Sequence, residues 1–159
     1  MATTRIIPMH LNKGKTLAQC LTDRTEYGMN PDKTDGGELI SSFACEPETV
    51  VSEFALSKRE YRELTGRVQE SDIIAYQIRQ SFKPGEVSPE EANRIGYKFA
   101  ERFLKGNHAF IVCTHTDKSH IHNHIYWNST TLDCTRKFSN FIGSYRACLL
   151  YTSPSPRDA

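Results

Sequence analysis

The sequence predicts an α+β fold in which helices pack on a mostly antiparallel central sheet of about five strands. Extended segments rich in β-forming residues alternate with amphipathic segments in the order β α β α β α β β. The last two strands follow each other across a short turn, which favours antiparallel pairing over a doubly wound parallel sheet. The 159 residues fit one domain, and 38% hydrophobic with 25% charged residues is typical of globular proteins.

In the first half of the chain, turn signals separate two strands from one helix. Residues Thr4–Met9 are apolar and extended, and Pro8 suits an edge strand or a bulge. Thr16–Tyr27 carries its apolar residues on one helical face. This helix should end before Pro31, because proline disfavours helical geometry in the residue that precedes it. Glu38–Cys45 is then expected to form the second strand.

The second half is predicted to contain two helices and three strands. Apolar residues at helical spacing follow Pro47, which suits a first helical turn. Ser88 and Glu91 form a capping-box pattern, with Pro89 at the first helical position. The helix that they begin is predicted to run to about Lys105. The strands are expected at Asp72–Phe82, Ala109–His115 and His120–Asn128, the last two joined by a tight turn.

Composition and charge exclude several classes of protein. Twenty Lys and Arg residues balance 19 Asp and Glu residues, so the net charge of +1 gives no sign of a nucleic-acid partner. No apolar run approaches the ~18–20 residues of a membrane-spanning helix, and membrane insertion is not expected. The N-terminus does not resemble a secretory signal. Five cysteines without a CxxC pair predict reduced thiols and a cytoplasmic location.

Four of the six histidines fall within ten residues. Alternation along a strand places His120, His122 and His124 on one face, and a hairpin turn can bring His115 beside them. A lone histidine on a strand is ordinarily structural, as we expect for His10 and for His108. Three imidazoles from two adjacent strands can instead converge on a metal ion and leave other coordination positions open.

The donor set leaves the identity of the metal open. Imidazole ligands suit zinc, iron, nickel, copper or manganese. Asp117 lies two residues after His115 and has two possible roles. It could accept a ring N–H and so orient the imidazole, or it could cap the turn. Cys113 has the same parity as His115, although a small buried thiol is the more ordinary role.

Two segments resemble the motifs of one family. The segment HTDKSHIHNHIYWN, His115–Asn128, resembles the third motif of the relaxases, the mobilisation nucleases of conjugative plasmids and transposons. Tyr27-Gly-Met-Asn30-Pro31-Asp-Lys33-Thr34 resembles their first motif, in which a catalytic tyrosine precedes Asn-Pro and a lysine. The resemblance is to the N-terminal catalytic part of MobP-like, HUH-type relaxases, and it covers Thr4 to about Ala147.

This resemblance implies a metal-dependent DNA relaxase with an HUH-type fold. Tyr27 would be the nucleophile that cuts one DNA strand and forms a 5′-phosphotyrosyl link. The metal ligands would be His115, His122 and His124, with His120 as a rival for the third position. Magnesium or manganese is the implied working ion. Three imidazoles hold such hard ions weakly, so zinc is a further possibility in purified protein.

The remaining implied roles concern proton transfer and DNA. His120 and Asp117 are the candidates for orientation or proton transfer. The implied partner is single-stranded DNA at an origin of transfer, together with accessory relaxosome proteins. The residues expected to contact DNA are Arg24, Asn30, Lys33 and Asn128.

The same residues fit other functions. A zinc hydrolase with a three-histidine site would need no tyrosine and no covalent intermediate. A truncated chain could bind DNA or metal without turnover. Tyr126 shares the parity of the histidine face, which predicts that it lines the site. Arg136, Lys137, Phe138 and Phe141 could belong to a DNA-binding groove or to a loop and short helix.

The end of the chain differs from the rest. Residues Cys148–Asp158, CLLYTSPSPRD, resemble the in-frame translation of a transposase-based sequencing adapter. We therefore expect residues 1–147 to form a relaxase catalytic domain that is truncated at its C-terminus. Residues 148–159 are expected to be a non-native tail, which is excluded from reasoning about the fold.

Overall fold

The computed structural model of this chain describes residues 3–67 and 73–139. Within these ranges the fold is α+β, as predicted, with a five-stranded sheet and three α-helices. A 3-10 turn, Pro47–Thr49, leads into the second helix. The elements are β1 Thr3–His10, α1 Leu17–Gly28, β2 Ile40–Phe43, α2 Val50–Thr65, β3 Ile73–Ser81, α3 Pro89–Leu104, β4 Phe110–His115 and β5 His122–Asn128.

The strands pair in the order β1-β3-β5-β4-β2, and every pairing is antiparallel. The prediction of an antiparallel sheet is therefore confirmed. β1 forms one edge, and its register shifts between Met9 and His10, next to Pro8. Proline suits this position because an edge strand does not need every N–H for the ladder. β5 lies at the centre of the sheet, between β3 and β4.

Local capping explains where two of the helices begin. The Thr16 side chain accepts from the backbone N–H of Gln19, whose own side chain accepts from the N–H of Thr16, so α1 starts with a capping box. The Ser88 hydroxyl accepts from the N–H of Glu91 at the start of α3. These contacts satisfy backbone donors that have no partner inside the helix.

Four strands are shorter than predicted, and β2 and β5 have ends that lie two residues inside the predicted bounds. β2 ends at Phe43 because Ala44 adopts a left-handed conformation with φ 58°, which interrupts the extended backbone. β5 begins at His122 rather than His120, so His120 lies in the loop between β4 and β5. The prediction that His120 shares a strand face with His122 and His124 is therefore wrong.

Two apolar clusters hold the helices to opposite faces of the sheet. α3 packs against one face, where Gly96 lies so close to Asn123 that a Cβ atom would come within 2.6 Å of its amide nitrogen. Asn123, a polar residue in the middle of β5, is satisfied there by Thr114, Gln80 and the carbonyl of Ala92. The buried members of this cluster include Phe99, Phe103, Phe110, Ile125 and Trp127.

Helices α1 and α2 cover part of the other face, which carries the alternate residues of each strand. Their buried side chains, which include Leu21 and Phe54, pack against Ile111, Cys113 and Tyr126. This face also carries the histidine cluster, beyond the part that the helices cover. No helix in the described ranges is long and apolar enough to cross a bilayer. Phe141 and the predicted tail 148–159 lie outside the described residues.

Candidate functional site

The β4–β5 pair brings three histidines together. His115 is paired with His122 across the two strands, and His124 is the next residue of β5 on the same face. One ring nitrogen from each of the three lies within 4.8 Å of the others. All three side chains are buried. The arrangement is the convergence that strand alternation predicted from the sequence.

Each of these rings has a buried nitrogen without a hydrogen-bond partner among the residues that the structure describes, namely His115 Nδ1, His122 Nδ1 and His124 Nε2. A buried polar atom that lacks a partner normally costs free energy, so three in one cluster need an explanation. A bound cation would supply the missing interaction, because neutral imidazole nitrogens are good ligands for divalent transition metals. The donor set therefore fits a metal ion.

A backbone carbonyl sets the tautomer of His115. Its Nε2 atom lies 2.8 Å from the carbonyl oxygen of Gly28 at the end of α1. A carbonyl only accepts, so Nε2 carries the proton and Nδ1 keeps its lone pair. The sequence offered Asp117 as the acceptor of this ring N–H. The structure places the Gly28 carbonyl there instead, and Asp117 forms an ion pair with Lys33.

Gln77, which the sequence did not single out, holds the ring of His124. Its side-chain amide lies 2.7 Å from Nδ1 of His124, and both groups are buried. Ligation of a metal through Nε2 requires the proton on Nδ1, so in that form the amide oxygen of Gln77 accepts the hydrogen bond. Gln77 stands 47 residues earlier in the chain. Only the pairing of β3 with β5 brings the two together. Alternation along the predicted strand could have placed Gln77 on a sheet face, but not beside this histidine.

Burial keeps the cluster neutral. Desolvation lowers the pKa of His124 to about 3 and that of His122 to about 4, and positive charge on neighbouring rings and on Arg79 adds to both shifts. Desolvation also lowers the pKa of His115. Because only the neutral imidazole has a free lone pair, these shifts favour the form that binds a metal.

Tyr27 stands beside this cluster, on the last turn of α1. Its ring meets the rings of His115 and His124 edge-on, with 5.7 Å between centroids in both cases. The side chain remains 50% exposed. The next residue is buried Gly28, where a Cβ atom would lie 2.5 Å from the ring of Tyr126. The absence of a side chain at Gly28 therefore lets the end of α1 approach the sheet.

Lys33 and Asp117 form one wall of the site. Their side chains are 3.0 Å apart, and the ammonium of Lys33 lies 5.0 Å from the centroid of the Tyr27 ring. The hydrogen bond from Lys33 lowers the pKa of Asp117. A hydrogen bond from the backbone N–H of Thr116 to the carbonyl oxygen of Lys33 joins the two loops. Asn30 shapes this wall, since its side-chain oxygen accepts from the N–H of Asp32.

The other predicted residues lie at different distances from the cluster. The ring of His120 is half-buried, 5.6 Å from that of His122, and is not part of the three-residue cluster. Arg24 is exposed on α1, one turn before Tyr27. Asn128 is four residues along β5 from His124, roughly 13 Å at the usual rise of a strand. It is buried and bonded to Ser57 and Lys58, so the structure does not bring it to the site.

The basic segment after β5 also lies away from the histidines. Lys137 pairs with Thr130 in an isolated bridge, and the Phe138 ring packs against Trp127 and Tyr76. These contacts belong to the end of the sheet where β5 finishes. In the described residues this segment is a loop that packs on the core, and its place in a DNA-binding groove stays a prediction.

Comparison with known proteins identifies relatives of this chain. Residues 27–149 match the family described as relaxase, MobA/VirD2-like, nuclease domain. A protein named rlx from Staphylococcus aureus is 41% identical over 103 residues, which are 65% of this chain and 30% of that protein. The group II intron-interrupted relaxase LtrB of Lactococcus lactis subsp. cremoris is 30% identical over 138 residues. That match spans 74% of this chain and 24% of LtrB, so the chain covers less than a third of either relative.

Proposed function

Because the chain belongs to the MobA/VirD2-like family of relaxase nucleases, we propose that it nicks one DNA strand at an origin of transfer and so starts the mobilisation of a plasmid or integrative element. The observation that carries the proposal is the position of Tyr27. An exposed phenol stands 5.7 Å, ring to ring, from two members of a buried three-histidine cluster. A nucleophile next to a candidate metal site is the arrangement that strand cleavage by transesterification requires.

In the proposed reaction, Oη of Tyr27 attacks the phosphorus of the scissile phosphodiester. The bond from phosphorus to the 3′ oxygen breaks, a 5′-phosphotyrosyl link forms, and the leaving oxygen takes up a proton to become a 3′-hydroxyl. The energy of the phosphodiester is retained in the new link, which permits the later rejoining of the strand.

The phenol proton needs an acceptor in the site. Asp117 is a weak base at neutral pH, because Lys33 holds its pKa low. We therefore assign the proton transfer to His120, which is half-buried beside His122. Asp117 and Lys33 would position the loop and place a positive charge close to Tyr27, where negative charge develops during attack.

His115, His122 and His124 would hold a divalent cation, magnesium or manganese in function. When bound, the cation would stabilise the additional negative charge on the phosphate oxygens and orient the scissile bond. The orphaned ring nitrogens support this ligand set. Zinc or manganese is expected to copurify more readily than magnesium, because imidazole is a soft ligand for so hard an ion.

The substrate in this proposal is single-stranded DNA in the cytoplasm, presented with the help of accessory relaxosome proteins. Arg24 and Lys33 stand on either side of Tyr27 in the chain and would bind phosphates. Asn30 would contribute by shaping the loop that carries Lys33. Asn128, buried at the far end of β5, would support the fold instead of contacting DNA.

The test is to incubate the 159-residue chain with manganese and single-stranded oligonucleotides that tile the origin region of the element encoding it. A denaturing gel and intact-mass measurement would detect a protein–DNA adduct. We expect the adduct with the wild type and with Tyr97→Phe, a control on α3, but not with Tyr27→Phe.

Three outcomes would contradict the proposal. An adduct that persists in Tyr27→Phe would show that another residue is the nucleophile. Cleavage without an adduct in both proteins would favour a three-histidine hydrolase. DNA binding without cleavage would favour an inactive DNA-binding fragment.

A further inference from the structure

One row of cross-strand neighbours runs from the histidine cluster to the edge of the sheet. His124 on β5 is paired directly with Arg79 on β3, and Arg79 is paired directly with Arg5 on β1. Residues that face each other in an antiparallel pair point to the same side of the sheet. The two arginines therefore lie on the same face as the proposed metal ligands, about 4.8 Å and about 9.6 Å away in strand spacing.

Both arginines are open to solvent. Each is exposed, whereas Gln77, the next residue of β3 on the same face toward the core, is buried, as is Met9 four residues along β1 from Arg5. Helices α1 and α2 cover that core side and leave the arginines uncovered. The two exposed arginines therefore extend the site from β5 toward β1, on the side away from Lys33 and Asp117.

No acidic group in the described part of the chain neutralises the positive charge of this pair. In residues 3–67 and 73–139, neither Arg5 nor Arg79 has an ion pair or a side-chain hydrogen bond with another described residue. Like charges directly opposite each other in a sheet destabilise it. Two unpaired guanidinium groups in register are therefore unfavourable for the fold alone, and an anion bound between them would remove the repulsion.

The charge of Arg79 also reaches the cluster. Its charge adds to the burial that lowers the pKa of His115, His122 and His124. Because Arg79 is paired directly with His124, an anion bound to Arg79 would be adjacent to a phosphate that sits over the cluster.

We propose that Arg5 and Arg79 form a phosphate-binding pair that holds the DNA backbone next to the scissile phosphate, on the side of the site toward β1. The inference rests on the proposed single-stranded DNA substrate. Guanidinium forks bind phosphate oxygens through paired N–H groups without reading the base. The pair would therefore contribute affinity and orientation for the strand, not sequence specificity.

Salt dependence of binding provides the test. Fluorescence anisotropy would follow a labelled oligothymidylate of about 20 nucleotides binding to the full chain in EDTA, from about 50 to about 300 mM NaCl. Each phosphate contact contributes about 0.7 to the slope of log K against log salt for single strands. We expect Arg5→Gln and Arg79→Gln each to reduce the slope by about 0.7, and the double variant by about 1.4.

Arg94→Gln is the matched control, because Arg94 is exposed on α3, which packs on the opposite face of the sheet. Its slope should equal that of the wild type. Circular dichroism would verify that each variant folds, and the two single variants keep the test valid if the double variant does not. Slopes that do not change in the arginine variants, a change of equal size in Arg94→Gln, or wild-type binding that does not depend on salt would each overturn the inference.

The outcome separates this inference from the proposed reaction. An adduct on Tyr27 together with unchanged slopes would sustain the nuclease and reject the phosphate-binding pair. Reduced slopes without an adduct would sustain the pair and reject the nuclease.

Discussion

Nε2 of His115 donates a hydrogen bond of 2.8 Å to the carbonyl oxygen of Gly28, across 87 positions of sequence. Gly28 follows Tyr27 directly, so this one bond connects the residue proposed as nucleophile to a residue proposed as metal ligand. It also leaves Nδ1 of His115 with a free lone pair. The orientation of the ring and the position of α1 are therefore coupled.

Gly28→Ala tests this coupling. The added methyl would lie 2.5 Å from Cε2 of Tyr126, so the end of α1 must move away from the sheet. A displacement of about 1 Å in a catalytic group can cost about 100-fold in rate. We expect the initial rate of formation of the Tyr27 adduct, followed on a denaturing gel, to fall by about that factor.

The control for Gly28→Ala is a second substitution that makes room for the methyl group. Tyr126→Leu removes the ring that it would meet, so the double variant should recover part of the adduct lost in the single variant. A double variant that is as inactive as Gly28→Ala would show that steric displacement is not the cause.

Gln77→Leu tests the support of His124. Loss of the partner that orients a metal-binding histidine typically weakens metal affinity by about 10- to 100-fold. We expect this loss in manganese titrations by calorimetry. Gln80→Leu is the matched control, because Gln80 lies on the same strand but faces the other side of the sheet, where it bonds to Asn123. Equal affinity in the wild type and Gln77→Leu would refute a positioning role.

Lys33 and Asp117 are expected to act as a unit. Lys33→Met should slow adduct formation at saturating DNA by about tenfold or more, because the positive charge near Tyr27 is lost. Asp117→Asn should slow it similarly, because Lys33 loses the ion pair that positions its ammonium. The double variant should be little slower than either single variant, since contacting residues are not additive. The control is the same pair of substitutions at Lys15 and Asp23, an exposed ion pair whose side chains are 2.7 Å apart. Additive losses in rate would mean that the pair does not act together.

Lys58 gives a prediction about pH and stability. Burial, and then the positive charge of Lys137, lower its pKa in the folded protein from 10.5 to about 7. Between these two values the unfolded chain binds a proton that the folded chain does not. The free energy of unfolding should therefore rise with pH in this window, by at most about 1.4 kcal/mol per pH unit. Below about pH 7 Lys58 is protonated in both states, so the full cost of burying its ammonium group remains.

Urea denaturation at about pH 7.5 and about pH 9 would measure this effect. The increase in unfolding free energy with pH should be smaller in Lys58→Met than in the wild type. The exposed residue Lys98 supplies the control substitution, Lys98→Met. Parallel pH dependence in the wild type and Lys58→Met would mean that the oxygens of Asn128 and Ser129, which accept from Lys58, keep its ammonium charged.

Local patterns predicted most of the fold because helix and strand periodicity depends on neighbouring residues. Thr16 and Ser88 begin helices as their capping chemistry indicates. The boundaries that differ have specific causes, such as the left-handed Ala44 that ends β2 early. His120 was misplaced because the loop after β4 extends to Ile121, and periodicity does not show where a strand begins.

Strand alternation that sets His122 and His124 on one face, the hairpin that brings His115 to them, and the motif that singles out Tyr27 could all be predicted from the order of the residues. The support of His124 by Gln77, the continuation of its row by Arg5 and Arg79, and the burial of Asn128 far from the site follow from the folded structure alone. The two groups differ because alternation is a local property of one strand. Which strands become neighbours, and which carbonyl meets a given ring, depends on packing between residues that are distant in the chain.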